Sequence, residues 1–290
     1  MNSNRMRQVI QPGAPVKERV QWIEARGRAF SFTLPPGVPL LEAARRGLAA
    51  EGFLGGTLSI KSGALGPLAY VMPALPRTAE HAAYYSDTFR PAGVTQLDTA
   101  TMTFGRRDGA PFFHCHAFWR EADGRRSGGH ILPEETVVAE PCEVDAFGLD
   151  GAMFEAEHDG ETSFKLFGPV ASPPSGATAA RRAFALRLRP NQDFAHTLEA
   201  FCRAHGIAGA KLHGGVGSII GARFADGRIV EPFATEMAVR TGTVLSRDGV
   251  VEAELDVALV DHAGGLSDGK LTRGDNPVLM TMELVLEVIA

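Results

Sequence analysis

The residues best suited to chemistry sit in one stretch, PFFHCHAFWREADGRRSGGHILP, residues 111–133. In a β-strand alternate side chains share a face. His114 and His116 then point one way with Phe112 and Phe118, while Phe113, Cys115, Ala117 and Trp119 point the other. The second set is wholly apolar and belongs to a core. Two imidazoles on one strand face stand roughly 7 Å apart at Cβ and can converge on one ion. Ala122-Asp123-Gly124 is a hairpin turn signal, and the returning strand brings His130 beside them behind two glycines that leave space. Three neutral imidazoles, His114, His116 and His130, leave one coordination position open, the pattern of catalytic rather than structural zinc. Zinc is the first expectation, with iron, manganese or nickel as alternatives. Cys115 faces the wrong side to be a fourth ligand and reads as a small buried apolar residue.

Other chemistry-bearing residues surround this stretch. LPRTAEHAAYYSDTFRPAG gathers His81, Tyr84, Tyr85, Asp87 and Arg90. It can be a lid that presents Arg90 to an anionic substrate, or an oligomer contact or plain loop. Arg106 and Arg107 precede the histidine strand. Arg106 is the expected catalytic anchor for a carboxylate, together with Arg90, whereas Arg107 is assigned to a hairpin turn. Lys211 and His213 flank a glycine-rich turn whose amides could hold an anion, although the glycines can equally serve close packing. No nucleophile elbow with a Ser-His-Asp set is legible.

The elements that must position these groups come from an internal repeat. At an offset of 154, Arg28-Ala29-Phe30 falls on Arg182-Ala183-Phe184, and Pro36, Gly52, Gly55, Leu58 and Gly63 fall on Pro190, Gly206, Gly209, Leu212 and Gly217. Farther on the offset becomes 140. Thr101 and Thr103 meet Thr241 and Thr243, and the Arg107-Asp108-Gly109 triplet meets Arg247-Asp248-Gly249. The first copy therefore carries 14 extra residues between roughly Val71 and Gly93. Phe30, Phe32 and Leu34 alternate as a half-buried strand, as do Phe184, Leu186 and Leu188. Leu40, Ala44 and Leu48, and Phe194, Leu198 and Phe201, recur at helical spacing. Gly52 and Gly206 stand where a helix-ending glycine belongs. The predicted fold class is α+β: two tandem copies of a domain with one main helix packed on an antiparallel β-sheet or barrel. The expected units are 26–147 with the intact three-histidine site, 148–180 as a hairpin arm and linker, and 181–290 with a degenerate site. There the three histidines become Glu254, Asp256 and Lys270. An ammonium could replace the ion and compensate buried carboxylates, leaving a dead site; an acid–base pair is the alternative.

Composition narrows the partners. The chain has 290 residues, a net charge of −5 and 22% charged residues, which leans against a dedicated duplex-binding surface because phosphate neutralisation needs a basic excess. Arg106–Arg107, Arg125–Arg126 and Arg181–Arg182 are short and set among acids. No apolar run approaches a membrane span, and polar Met1 to Gln11 carries no apolar run of a signal peptide. Three cysteines, an odd count, fit a reduced cytoplasmic setting.

The strand–helix–strands order, the glycine-rich stretch Lys211–Ile219 after the second helix, and above all HCH followed by GGHIL resemble the PPC (plant and prokaryote conserved) domain family, over residues 26–147 and 180–290. The resemblance implies an α+β domain, often trimeric, in a family named for plant AT-hook proteins and often labelled DNA-binding. The basic hook is a separate segment in the plant members and has no counterpart here. The family fold is also similar to that of α-acetolactate decarboxylase, a duplicated chain with three histidines on zinc, which would make His114, His116 and His130 the ligands. Two function classes follow: a metal-dependent lyase or hydrolase acting on a small carboxylate- or carbonyl-bearing metabolite, and a DNA-associated scaffold. A homo-oligomer, a trimer by the resemblance, is expected in either case.

Overall fold

Alternating apolar residues and left-handed turns set the strands. In the computed structural model the described residues are 7–290; residues 1–6, which hold Arg5 and much of the polar N-terminal stretch, lie outside them. The first half runs β1 (Val20–Leu34), α1 (Leu40–Ala50), β2 (Gly56–Leu65) and three two-residue strands, β3 (Tyr70–Val71), β4 (Pro73–Ala74) and β5 (Tyr84–Tyr85). It continues through β6 (Thr95–Arg107), β7 (Ala110–Arg120), β8 (Arg126–Ile131) and β9 (Val138–Asp150). A hairpin follows, β10 (Ala152–His158) and β11 (Lys165–Ala171). The second half is β12 (Arg181–Leu188), α2 (Phe194–Ala204), β13 (Gly209–Arg223), β14 (Ile229–Arg247), β15 (Val250–Asp261), β16 (Leu266–Lys270) and β17 (Val278–Val288). Neither helix is long and apolar enough to cross a membrane.

The two halves share one pairing order. In the first, β1-β9-β2-β6-β7-β8 are neighbours; in the second, β12-β17-β13-β14-β15-β16 are. Antiparallel pairing of β1 with β12, from Val20↔Leu188 to Gly27↔Arg181, joins them into one sheet. That pairing is why β1 begins at Val20, before the expected edge at residue 26. The Asp108-Gly109 and Asp248-Gly249 hairpin turns both have φ near +50° and +80°, the paired left-handed geometry that matches strand twist.

Each helix covers one arm of the sheet. Leu40, Ala44 and Leu48 are buried with Phe113, Cys115, Ala117 and Trp119 in one core, while Phe194, Leu198 and Phe201 join Leu255, Val257 and Leu259 in another. A fully buried Leu or Phe stabilises by about 1.5–3 kcal/mol, so these faces dominate each half. Gly52 (φ +84°) and Gly206 (φ +63°) end the helices, and Asp193 caps α2 by accepting from the His196 N–H at 2.9 Å.

The opposite faces of the two arms meet each other. Phe118 packs with Ala238, Ala258 and Val260 across this junction, and β13 and β14 lie against β6 and β7. The order through the molecule is helix, sheet arm, sheet arm, helix. The stretch expected to be a glycine-rich turn at Lys211–Ile219 is instead interior to β13, with a bulge between Gly214 and Val216. Gly214 (φ +73°) is needed there because a Cβ would stand 2.6 Å from the Thr57 side chain on β2.

Candidate metal centre between the two halves

β7 places His114 and His116 on the face turned away from α1, and the β7–β8 register sets His130 directly opposite His116. One ligand-capable atom from each of the three lies within 4.8 Å of the others. Their outer contacts come from the second half. His114 Nδ1 stands 2.8 Å from Glu283 Oε2 on β17, and His116 Nδ1 stands 3.0 Å from the Met237 carbonyl on β14. Both acceptors claim an Nδ1 proton, and a ring that carries its only proton there turns an Nε2 lone pair inward. Those two Nε2 atoms are 3.1 Å apart.

At that distance the two nitrogens either share a proton or, as two lone pairs, repel unless a cation lies between or beside them. In a tetrahedral shell with zinc–nitrogen bonds of about 2.0–2.1 Å, ligand nitrogens stand roughly 3.4 Å apart, so the spacing fits. His130 Nδ1 is buried without a hydrogen-bond partner, a further donor atom left over by the protein alone. Burial first, then the neighbouring imidazoles, holds His116 well below the usual histidine range; burial, His114 and then Arg107 do the same for His130. Both rings are therefore neutral at ordinary pH, the form that ligates.

Two acids that the sequence reading did not single out complete the site. Glu236 on β14 is 5% exposed, with Oε2 3.7 Å from His116 Nε2 and no hydrogen-bond partner. Burial pushes its carboxyl well above the ordinary range; a cation among the histidines would draw it back toward the ionised form. Glu283 is completely buried and continues a polar chain. Its Oε1 faces Thr281 Oγ1 at 3.5 Å, Thr281 accepts from Arg187 Nε at 3.2 Å, and Arg187 reaches Asp159 at 2.9 Å. The available signal is an acid set within an apolar run, Glu236 in ATEMAV and Glu283 in VLMTMELVLEV, since a carboxylate buried in a strand needs a partner.

The inserted segment folds over the histidines. Tyr85 meets His130 edge to face with ring centroids 5.2 Å apart, and Ala83 packs on Ile220, Ala234 and Leu279 of the second half. Burial first, and then Glu236 and Glu283, push the Tyr85 phenol upward, so it stays protonated. A cavity of about 560 Å³ opens from His114 and His130 toward Phe167 and Lys165 of the β10–β11 hairpin, and a recess of about 50 Å³ runs beside Glu236 and His116.

The arginines expected as anchors lie elsewhere. Arg106 pairs with Glu155 on β10 at 3.1 Å, and Arg90 makes two 2.8 Å hydrogen bonds to Glu135. Neither lines the cavity. Strand alternation puts Arg106 and Arg107 on opposite faces, and it is Arg107 that joins the histidines in the lining; the turn belongs to Asp108 and Gly109. In the second half Lys270 holds Glu254 at 3.0 Å, while Asp256 is taken by Arg240 at 2.5 Å. Glu254 and Lys270 are both more than half exposed, so this cluster compensates no buried charge. All three cysteines are buried free thiols.

Fold and sequence together define a β-rich domain with a single packed helix, and residues 176–290 match the Plants and Prokaryotes Conserved (PCC) domain family. The matched segment is the second half of the chain. Among solved structures it is similar to a plant- and prokaryote-conserved protein of Pyrococcus horikoshii (20% identity, 50% of this chain and 95% of that one, TM-score 0.38). A metal-containing protein of Archaeoglobus fulgidus is similar at 21% identity, over 50% of this chain and 96% of that one, with a TM-score of 0.40. A candidate DNA-binding protein of Ralstonia eutropha is similar at 15% identity, over 48% and 89%, with a TM-score of 0.36. No curated protein matches the chain.

Proposed function

We propose that this protein is a metal-dependent enzyme of lyase or hydrolase type acting on a small carboxylate- or carbonyl-bearing metabolite. His114, His116 and His130 would hold zinc or another divalent transition metal. The observation that carries the reading is the pair of Nε2 lone pairs 3.1 Å apart, each fixed inward by an acceptor on its Nδ1. A divalent ion in such a site supplies Lewis acidity, polarising an oxygen or lowering the pKa of water. Glu236 is the group placed to take up and return a proton at Oε2, being buried beside His116 with no other partner. Glu283 holds His114 in its tautomer and orientation. Tyr85 and the inserted segment restrict water over the site.

The DNA-associated reading gains little from the charges. Arg106, Arg125, Arg126, Arg181 and Arg182 each have an acid within 4 Å, namely Glu155, Glu121, Asp98, Glu287 and Glu24. Such pairing leaves no free basic stripe among these clusters. We also propose a homo-oligomer, a trimer by the family resemblance, which light scattering on purified protein tests.

The primary experiment is metal content by mass spectrometry on untagged protein beside a His114→Ala/His116→Ala variant. About one metal per chain in the wild type and none in the variant is expected. A wild type that carries no metal, and whose melting temperature does not rise with zinc, manganese or nickel, would remove the basis of the enzyme reading.

A further inference from the structure

The cavity above the histidines has a chemical character more specific than a small carboxylate. Its walls come from three separate elements: the inserted segment, the histidine hairpin and the β10–β11 arm. Each contributes rings. Tyr84 and Tyr85 face Phe164 at 5.9 and 6.0 Å, and Phe112 faces Phe167 at 6.2 Å. Arg107 borders the same space. Its guanidinium carbon lies 5.1 Å over the Phe112 ring, and its nearest acid, Asp108, is 3.9 Å away. No hydrogen bond ties it to the described residues. The other cation of the lining, Lys165, is engaged by both oxygens of Asp108 at 2.7 and 2.8 Å. The acids Glu134 and Glu283 also reach the lining; of the lining's arginine and lysine, Arg107 is the one with no acid of the described residues closer than 3.9 Å.

A guanidinium stacked on a ring keeps its in-plane N–H fork free for an oxyanion, and a carboxylate matches that fork with two hydrogen bonds. Aromatic walls favour a flat apolar body, since rings pair at centroid distances of about 4.5–7 Å. Arg107 and the histidines border the same space, so an acid anchored at Arg107 would direct its neighbouring oxygen toward them.

We infer that the cavity takes an aryl-substituted carboxylic acid, its carboxylate on Arg107, its ring among Tyr85, Phe164 and Phe167, and an adjacent carbonyl or hydroxyl turned toward the three histidines. This rests on the proposed function in taking the cavity as the substrate site of the metal centre; the ring and guanidinium contacts stand without the ion.

Calorimetric titration of phenylpyruvate, pyruvate and 2-phenylethanol into metal-loaded and chelator-treated protein tests it. Phenylpyruvate should bind at least about tenfold more tightly than either control, since it alone offers both ring and carboxylate. Arg107→Met, which keeps a stem over Phe112, should weaken phenylpyruvate by about tenfold while metal content and melting temperature stay at wild-type values. Equal binding of pyruvate and phenylpyruvate, or an Arg107→Met variant that binds phenylpyruvate unchanged, overturns the inference even if the metal is present. Protein that holds no metal yet still prefers phenylpyruvate through Arg107 would remove the metal reading and keep this one.

Discussion

At the residue scale the site is decided by what each imidazole does with its second nitrogen. His114 spends Nδ1 on Glu283 and His116 spends it on a carbonyl, so both present Nε2 to the proposed ion. An outer partner of this kind typically contributes 10- to 100-fold in metal affinity. Glu283→Gln keeps the shape and removes the charge. It should weaken zinc binding by about tenfold or more in competition titrations against a chelator, with folding retained because an uncharged amide is cheaper to bury. Unchanged affinity would show that Glu283 merely fills space. Glu236→Gln, by contrast, should leave metal content near the wild type and abolish turnover of any substrate the cavity accepts.

At the element scale, the β10–β11 hairpin is pinned by ions. Its tip carries Asp159 and Glu161, which meet Arg187, Arg189 and Arg19 at 2.5–2.9 Å in a largely buried network. Burial alone would raise the Asp159 carboxyl, but Arg187 and Arg189 outweigh it and hold the pKa at about 2. A depressed pKa means stability that is complete above the unfolded value near 3.9 and lost as pH falls through the folded one. Asp159→Asn leaves Arg187 buried without its counter-ion and should cost about 3 kcal/mol at pH 7. In urea denaturation series, the gap between variant and wild type should narrow as pH drops from 4 toward 2. A gap independent of pH would mean that the charge contributes nothing.

At the scale of the whole molecule, the centre exists because two sheet arms face each other. Three histidines come from one arm; Glu236, Glu283 and the Met237 carbonyl come from the other. Close approach of the arms depends on Gly214, whose left-handed backbone abuts Thr57. Gly214→Ala should destabilise by about 2 kcal/mol through strain and contact together, read as a lowered melting temperature. An unchanged melting temperature would mean that the arms tolerate a wider gap.

Much of this was legible in the chain because it depends on near neighbours. The HCH alternation, the Asp-Gly turns, the helix-ending glycines and the 154/140 register follow from local periodicity, and they recover the two helices, the hairpin arm and the three histidines. At Lys211–Ile219 the expected turn is a bulged strand, because a glycine bulge within a long strand has the same local signature as a turn. That Arg107 rather than Arg106 borders the cavity is not a local property: which face of β6 looks into the cavity depends on where the hairpin arm and the inserted segment settle. The sequence by itself determined which three histidines cluster, since they lie within 17 residues and one hairpin. Only the tertiary structure decided the surroundings of that set, because Glu236 and Glu283 lie more than 100 positions downstream and reach the histidines solely through the packing of one sheet arm on the other.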